Sequence, residues 1–507
     1  MIPLIIIGCY LLLLLGLGLV SNHFFRGTSK DYFVASHSIG PFMLLMSIFG
    51  TTMTAFALVG STGKAYTSGI SVYGLMASWS GLIHSACFFL IGIKLWAIGK
   101  RYGYMTQVQF FRDRFESPAL GYLLFPILVL LVIPYLLIGV IGAGSVMRGL
   151  TAGTFTETFS STQGAIPPWL TGAVICLVVL AYVFWGGVRG AVWANTFQTL
   201  VFMATGVLAF WMIAKALGGP VAASQKALAE VPQLLAREGK MGHLQFFSYC
   251  FVPLSVGMFP HVFQTWLTAK SAKSFRLTCV AHPLCILIVW LPCILFGIWA
   301  AGHGIQAAPN AVLGKMVAEL VHSPYLTGFL IAGVLAAIMS SLDSQFMCLG
   351  TMFTKDVVQH HYGENRFTDQ QFIWMARAFI VFIVAITYVL SLFPPPHIFD
   401  LGVWCFSGFS GLFPLVFAAL YWKRTTRMGA FASVLVTVAT WLILFIRDMA
   451  QKSGSGDDEL LVFGMMPVAL IVAVSALTLV IVSLLTPPPT AATVNKFFPE
   501  ALKGLPS

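Results

Sequence analysis

The amino-acid sequence predicts an all-α membrane protein with thirteen transmembrane helices, and three observations support this fold class. First, 58% of the 507 residues are hydrophobic and only 9% are charged, whereas a soluble globular domain carries about 25% charged residues. Second, the apolar residues form continuous runs long enough to cross the ~30 Å hydrocarbon core of a bilayer as helices. Third, these runs do not alternate between apolar and polar residues as the strands of a membrane barrel do.

The apolar runs define the predicted spans, and the connections between them are too short for a soluble domain. The predicted limits are 2–21, 41–63, 70–98, 120–147, 168–186, 191–214, 244–264, 277–301, 324–352, 373–393, 398–421, 428–446 and 460–485. The first run lacks the basic start and the small-residue cleavage site of a signal peptide, so we expect it to remain as a span. The tail after Pro489 is expected to be short and weakly structured.

The formal net charge of +11 indicates a membrane orientation rather than a nucleic-acid partner. In multi-pass proteins, Lys and Arg gather in the loops on the cytoplasmic side. Most of the 28 Lys and Arg residues fall in the inside loops if the N-terminus lies outside. We therefore predict a multi-pass protein of the cell (inner) membrane with its N-terminus outside and its C-terminus in the cytoplasm. The lipid bilayer surrounds it, and we expect no nucleic acid and no obligatory protein partner.

Two of the predicted spans contain residues that interrupt a helix. Small and hydroxyl residues crowd the second span around Gly50 and Met53, and the seventh span carries Pro253, Gly257 and Pro260. Proline removes a backbone donor and clashes with the preceding turn, so the helix should kink or unwind there. The alternative is that glycine and proline are simply frequent in membrane helices.

The two interrupted spans lie five apart, which favours a five-plus-five inverted repeat with broken first helices. Such repeats place binding sites near the bilayer midplane. On this hypothesis residues 1–40 form an extra N-terminal helix and loop, and residues 41–216 form the first five-helix repeat. Residues 217–422 form the second five-helix repeat, and residues 423–507 form two additional C-terminal helices and the tail.

The ninth span carries side chains that could bind a cation. Ser340, Ser341 and Asp343 lie in one apolar helix, and hydroxyls together with carbonyls freed near Gly50–Met53 could supply the oxygen ligands of an alkali ion. The alternative for the serines is close helix packing. By the predicted limits, Asp343 is the only acidic residue deep inside an apolar run, and the cost of a charge there makes it a functional candidate. Its alternative role is a structural hydrogen bond to a neighbouring helix.

A histidine at the second interruption is the other candidate. His261 directly follows Pro260, and Gln264 lies three residues later on the same side of a helix. A lone histidine in a membrane span is more often a hydrogen-bonding partner between helices. In a proton-coupled transporter, Asp343 or His261 would carry the proton.

The nine cysteines are scattered singly, and we find no zinc-ligand spacing, nucleophile elbow or phosphate-binding loop, so an enzyme is not expected.

Four stretches of the sequence resemble the sodium:solute symporter family and occur in the family's order. They are Asp31–Ala35 with Ser38–Phe42, Tyr182–Gln198, Phe259–Gln264 with Thr268–Ser271, and Ala336–Gln345 with Phe353–Asp356. The resemblance implies the inverted-repeat symporter fold with one helix added before the ten-helix core. It also implies sodium-coupled symport of a small organic solute, such as an amino acid, a vitamin, a sugar or a monocarboxylate, by alternating access.

The resemblance implies site residues as well. Sodium would be bound by the carbonyl oxygens of Gly50, Met53 and Ala337 and the hydroxyls of Ser340 and Ser341. The solute cavity would be lined by Thr52, Met258, Phe259, His261 and Gln264. This sequence departs from the family at Asn195, where relatives often carry Asp, and at Thr52, where the proline-transporting branch carries Asp. Asp343 would compensate for one missing carboxylate, which makes Asp343 and Asn195 candidates for ion coupling.

Overall fold

The computed structural model describes residues 1–23, 32–33, 38–73, 79–236, 241–363, 366–393, 397–455 and 459–498, without the side chains of residues 19, 21–23 and 453–455. Within these residues the chain is helical, with isolated bridges and no β-strand. Asp31, Val34 and Ala35 of the first family-like stretch lie outside the described residues.

The main helices follow one another along the whole described chain. They are α1 (Ile2–His23), α2 (Pro41–Thr52), α3 (Phe56–Ser68), α4 (Trp79–Tyr102), α5 (Gln107–Arg114), α6 (Pro118–Thr151), α7 (Pro168–Ala216), α8 (Pro220–Glu230), α9 (His243–Gly257), α10 (Pro260–Leu267), α11 (Ala272–Gly302), α12 (Val312–Leu320), α13 (Pro324–Tyr362), α14 (Asp369–Ser391), α15 (Ile398–Tyr421), α16 (Arg427–Ser455), α17 (Pro467–Leu485) and α18 (Ala491–Phe497). Among the described residues, nine helices are long and apolar enough to cross a membrane, or up to eleven if each of two bent pairs counts as one span.

Two helices, α1 and α7, account for the difference between these eleven spans and the thirteen predicted ones. The apolar part of α1, Ile2–Gly18, is shorter than the nine long helices. The 49-residue α7 covers two predicted spans, and its backbone is non-helical at Gly187, with φ 57° and ψ −159°. A straight helix of that length would measure about 74 Å, more than twice the hydrocarbon thickness. The break at Gly187 is therefore where two spans would meet, and the count of thirteen stays a prediction.

Both spans that the sequence predicts to be interrupted are broken. The axes of α2 and α3 meet at 57°, and those of α9 and α10 meet at 51°. α2 ends at Thr52, and Met53 has extended backbone with φ −90° and ψ 99°. α9 ends at Gly257, Phe259 is extended, and Pro260 opens α10, a position at which proline loses no helical hydrogen bond. The inverted relation between the two five-helix units stays a prediction.

The helices that carry the candidate residues lie in the centre of the bundle. α13 packs against α7, α1, α6 and α2, and every residue from Leu335 to Met352 is buried. The added helix α1 covers α7 and α13 from one side. Gly18 permits this close approach, because a Cβ there would lie 2.3 Å from the Cβ of Tyr182.

The tail is better ordered than the sequence predicts. α18 follows Pro489 and is capped by the Thr490 side chain. Phe497 is 7% exposed, and its ring lies 5.9 Å from that of Tyr102 and 6.0 Å from that of Phe110. The expectation of weak structure was therefore wrong as far as residue 498, because one buried aromatic side chain anchors the segment.

The nine cysteines all lie within the described residues, and each has a free thiol. Cys9, in the apolar helix α1, is exposed, and Cys250 and Cys279 are partly exposed. The remaining six thiols are buried.

Candidate functional site

The end of α2 meets α13 at the position predicted for cation binding. The last carbonyl groups of a helix have no partner within that helix, and Gly50 lies in the last turn of α2. The Ser340 hydroxyl lies 2.8 Å from the Gly50 carbonyl oxygen and 2.9 Å from that of Ala337, either of which can accept its proton. Three of the five predicted sodium ligands therefore lie together.

The other two predicted ligands are also buried, Ser341 within α13 and Met53 directly after α2. The Ser341 hydroxyl donates to the Ile338 carbonyl of its own helix at 2.9 Å. Met53 is fully buried and forms the first residue of the break, where its amide donates to Phe49. The break thus begins at the C-terminal limit of the interval that the sequence predicts, Gly50–Met53.

The absence of a side chain at Gly50 lets α7 and α13 close on the end of α2. A Cβ at Gly50 would lie 2.4 Å from Thr199 Oγ1 and 3.5 Å from Ser340 Oγ. Thr199 donates its hydroxyl proton to the Met46 carbonyl at 2.9 Å. One hydrogen bond from α7 and one from α13 therefore join these helices to the last turns of α2.

Asp343 is fully buried among neutral hydrogen-bonding groups. The Tyr182 hydroxyl donates to Oδ2 at 3.0 Å. The Asn195 side chain is oriented so that both its amide nitrogen and its amide oxygen have hydrogen-bonding partners. The nitrogen lies 3.0 Å from each carboxylate oxygen of Asp343 and 2.9 Å from the Ser340 carbonyl oxygen. The Ser344 hydroxyl lies 3.0 Å from Asp343 Oδ1 and 2.8 Å from the Asn195 amide oxygen. Asn195 and Asp343, which the sequence singles out separately, are in direct contact.

Asp343 is the only acidic residue deep inside a predicted span, but it is not the only buried one. Asp356 is 1% exposed and Asp448 is 4% exposed, because α13 and α16 extend beyond the predicted limits. These two acids have cationic partners: Arg112 lies 3.7 Å from Asp356, and Lys452 lies 3.2 Å from Asp448. For Asp343, no Lys, Arg or His of the described chain lies within ion-pair distance. Asp343 is therefore distinguished from the other two acids by its neutral surroundings and not by its burial.

The break between α9 and α10 is lined by aromatic rings. Phe259 stacks on His261 with ring centroids 5.2 Å apart, and it makes edge contact with Phe409 at 5.1 Å. The Tyr135 ring lies 5.2 Å from Phe259 and 5.4 Å from His261. Both ring nitrogens of His261 are buried and find no hydrogen-bonding partner in the described part of the chain. A buried polar group in this condition is costly unless a ligand supplies the missing partner.

Gln264 and Met258 make contacts of a different kind. The Gln264 amide donates to the Phe33 carbonyl at 2.7 Å and to the Thr351 hydroxyl at 2.8 Å. Its donors are thus engaged by the segment before α2 and by α13. Met258 is fully buried, and its carbonyl accepts from the Gln107 amide at 3.1 Å. Their assignment to a solute cavity stays a prediction.

Thr52 lies beside two histidines whose placement the sequence does not reveal. Its hydroxyl lies 2.9 Å from the Ile48 carbonyl and 3.2 Å from His282 Nε2. The rings of His84 and His282 are 5.4 Å apart. Tyr182 is a further residue that the sequence does not single out. Its spacing does not show that it donates to Asp343, although a buried tyrosine hydroxyl usually needs a partner.

The family-level comparison extends over most of the chain. The family model described as "Sodium:solute symporter family" matches residues 32–437. The osmoregulated proline transporter OpuE of Bacillus subtilis is 25% identical over 502 residues, which cover 97% of this chain and 96% of that protein. The sodium/proline symporter of Salmonella typhimurium is 26% identical over 474 residues, which cover 87% of this chain and 88% of that protein.

A solved structure shows the same fold. It is a Na⁺-coupled sialic acid symporter in a substrate-bound, outward-open state, with a TM-score of 0.74 at 17% identity, and the match covers 97% of this chain and 99% of that one. The relatives are transporters and not enzymes. Because the family model covers most of the sequence and the helices match from end to end, this multi-pass membrane protein belongs to the sodium:solute symporter family.

Proposed function

We propose that the protein is a sodium-coupled symporter that carries a small organic solute into the cell by alternating access. The observation that carries the proposal is the 2.8 Å contact between the Ser340 hydroxyl and the Gly50 carbonyl, beside the break of the α2–α3 span. In secondary transporters, freed carbonyls at half-helix C-termini coordinate sodium. Here such a carbonyl already faces a hydroxyl from a second, central helix.

In the proposed site, sodium is bound by the carbonyl oxygens of Gly50, Met53 and Ala337 and by the hydroxyls of Ser340 and Ser341. An ion would replace the direct hydrogen bond between Ser340 and Gly50, because both oxygens would then turn a lone pair toward it. Bound sodium would join α2 to α13. It can promote transport only if it binds one conformation of this helix pair more tightly than the other.

Asp343 and Asn195 are the proposed ion-coupling pair beside this site. Asn195 contacts both the Asp343 carboxylate and the Ser340 carbonyl, so a change in the charge state at Asp343 would act on the helix that supplies sodium ligands. A carboxylate in the interior of a membrane protein is costly without a compensating cation. An ion that compensates this charge would therefore bind with a favourable free energy.

Proton-coupled symport is the second candidate, and the neutral surroundings of Asp343 favour it. The carboxyl group has hydrogen bonds from Tyr182 and Asn195, and a protonated carboxyl group can be held by such partners without any cation. His261, with two unpartnered ring nitrogens among the described residues, is the other proton carrier that this scheme allows.

The solute would bind at the two breaks, near Thr52, Met258, Phe259, His261 and Gln264. The relatives named as proline transporters support an amino acid, and the positive end of a half-helix would suit its carboxylate. We also propose a place in the cell membrane with the N-terminus outside, on the basis of the distribution of Lys and Arg residues. Thr52, which contacts His282, replaces the acid of the proline branch, so we propose the class of solute and not proline itself.

The test is uptake of a panel of radiolabelled solutes, including L-proline, into proteoliposomes with an inward sodium gradient. Replacement of sodium by choline at fixed pH should abolish uptake. In the double variant Ser340→Ala with Ser341→Ala, the sodium concentration for half-maximal uptake should rise at least about tenfold, because two oxygen ligands are lost. Ser433→Ala is the matched control, since its buried hydroxyl contacts Ser475 in α17, away from the site. Sodium activation like that of the wild type in the double variant would contradict the proposed sodium site. Uptake driven by a pH gradient without sodium would favour the proton-coupled scheme.

A further inference from the structure

A cavity of about 260 Å³ lies at the ends of three helices that are long enough to cross the membrane. Its wall is formed by residues 114–116, just before α6, residues 425–428, at the start of α16, and residues 486–490, just after α17. Because the lining segments flank apolar helices, the cavity lies at the depth of the lipid head groups, where a bilayer changes from hydrocarbon to water.

The wall of this cavity contains a buried positive charge. Arg114 is fully buried, and its guanidinium donates to the Ala419 carbonyl at 2.9 Å and to the Trp422 carbonyl at 3.3 Å. The third nitrogen, Nη1, is buried and has no hydrogen-bonding partner in the described chain. Burial lowers the pKa of the Arg114 guanidinium to about 10, so the group remains charged at neutral pH. A buried charge without a counter-charge is costly, so an anion is expected beside it.

Among the residues that the structure describes, the negative charge of Glu116 acts on Arg114, but it lies beyond ion-pair distance. Neither Arg114 nor Arg427, which also lines the cavity, has a carboxylate within ion-pair distance there. The one acid of the wall, Glu116, is engaged by the hydroxyls of Thr490 and Thr493. Arg114 and Arg427 thus line a cavity large enough for a phosphate group, whereas the hydroxyls of Thr426 and Thr490 already bond to Thr486 and Glu116.

Lipid-facing side chains border the opening. Met428 lines the cavity and is 52% exposed, and Leu485, directly before the lining segment that begins at Thr486, is 80% exposed. Basic pockets between helices at the membrane surface recognise anionic head groups. We infer that this cavity binds the phosphate of an anionic lipid, with Arg114 and Arg427 as its cationic ligands. The bound phosphate would tie the start of α6 to the α16–α17 helix pair, independently of sodium and solute.

Thermal unfolding of the full-length protein in detergent tests this site. Added phosphatidylglycerol should raise the Tm in a saturable way, because a ligand that binds only the folded state stabilises it. Phosphatidylcholine, and inorganic phosphate at the same ionic strength, should not. In Arg427→Gln the phosphatidylglycerol concentration for half of the shift should rise about tenfold, since one charge-assisted contact is lost. Lys423→Gln, an exposed neighbour outside the cavity wall, is the matched control and should respond as the wild type does.

The choice of variants keeps the test decisive. Arg427 is exposed, so its substitution leaves the contacts of Arg114 with buried carbonyls intact. Arg114→Gln should abolish the response, and if that variant does not fold, Arg427→Gln decides alone. An unchanged response in Arg427→Gln, or an equal loss in Lys423→Gln, would overturn the site. Stabilisation by inorganic phosphate equal to that by phosphatidylglycerol would overturn the assignment to a lipid.

Discussion

The contact between Asn195 and Asp343 would allow one carboxylate to serve both positions. Asn195, on α7, and Asp343, on α13, share hydrogen bonds in a buried interior. An ionised carboxylate at either position would give the pair one formal negative charge. The departure from the family at Asn195 and the added acid at Asp343 are therefore one feature in space, although 148 positions separate them in the sequence.

Exchange of the two side chains should preserve ion coupling better than removal of the charge. Asp343→Asn leaves the pair neutral, and we expect sodium-dependent uptake to fall at least about tenfold because the cation loses its counter-charge. The double variant Asn195→Asp with Asp343→Asn restores one carboxylate and should recover a large part of the uptake. Initial rates at several sodium concentrations would measure this, and the Tm of each variant would verify folding. An exchanged protein that is no more active than Asp343→Asn would contradict the shared role.

The contact of Gly50 with Thr199 makes a second prediction at this scale. In Gly50→Ala the new methyl group would lie 2.4 Å from Thr199 Oγ1, so we expect a loss of about 1–3 kcal/mol in the free energy of unfolding together with reduced uptake. Thr199→Ala removes the oxygen, and the double variant should regain stability. Gly8→Ala, with no atom within 4 Å of the new methyl, is the control and should unfold at or slightly above the wild-type temperature. Equal stability of Gly50→Ala and Gly8→Ala would show that the end of α2 can shift to accommodate the methyl group without a loss in the free energy of unfolding.

Single residues were predictable from the sequence only where their chemistry conflicts with lipid. Asp343 stands out because a carboxyl group is rare in an apolar run, and Ser340 because it forms a pair of adjacent serines just before that acid. Tyr182, which donates to Asp343, and Thr199, which donates to Met46 in α2, do not stand out. Spacing along one helix carries no information about which neighbouring helix faces it. The same limit applies to the contact of Thr52 with His282.

At the scale of helices, prolines and glycines located the broken spans but not their boundaries. Pro260 opens α10, as the sequence indicates. No proline marks the end of α2, so the cluster of small residues indicated a weak region, and the last helical residue, Thr52, emerged only in the structure. α13 continues past position 352 because Lys355 and Asp356 can be buried once they have partners, whereas hydropathy treats such residues as loop.

The helix α18 makes a prediction about the tail. Phe497→Ala would remove a buried ring that packs on Tyr102 and Phe110, which typically costs about 3–5 kcal/mol. We expect a lower Tm and faster proteolytic cleavage of the tail. Asn495→Ala, an exposed position on the same helix, should leave both unchanged. Cleavage at the wild-type rate in Phe497→Ala would show that the docking of α18 does not depend on this side chain.

For the whole molecule, ion pairs join distant segments of the chain. Lys64, in α3, pairs with Glu459 and, with Asn310, lines a cavity of about 190 Å³. Arg112, in α5, pairs with Asp356 near the C-terminal end of α13. The sequence predicts that such charges lie in loops, but it does not pair them, because the partners come from helices far apart along the chain.

Reversal of the Lys64–Glu459 pair tests whether the cavity beside Lys64 must close during transport. The pair is partly exposed, so its contribution to stability should be about 0–1 kcal/mol. Lys64→Glu places two like charges against each other, and we expect a slower initial rate of uptake with little change in Tm. Glu459→Lys should behave in the same way, and the double exchange should restore the rate. Single variants with the rate of the wild type would exclude a role of the pair in closure.

The distribution of thiols has a practical consequence for such measurements. The one exposed cysteine, Cys9, and the partly exposed Cys250 and Cys279 all belong to apolar helices, and the other six are buried. A water-soluble maleimide should therefore modify the native protein slowly. A cysteine introduced by Thr67→Cys, an exposed position in the wall of the cavity beside Lys64, would report the opening of that end by its labelling rate, and the natural cysteines would not first have to be removed.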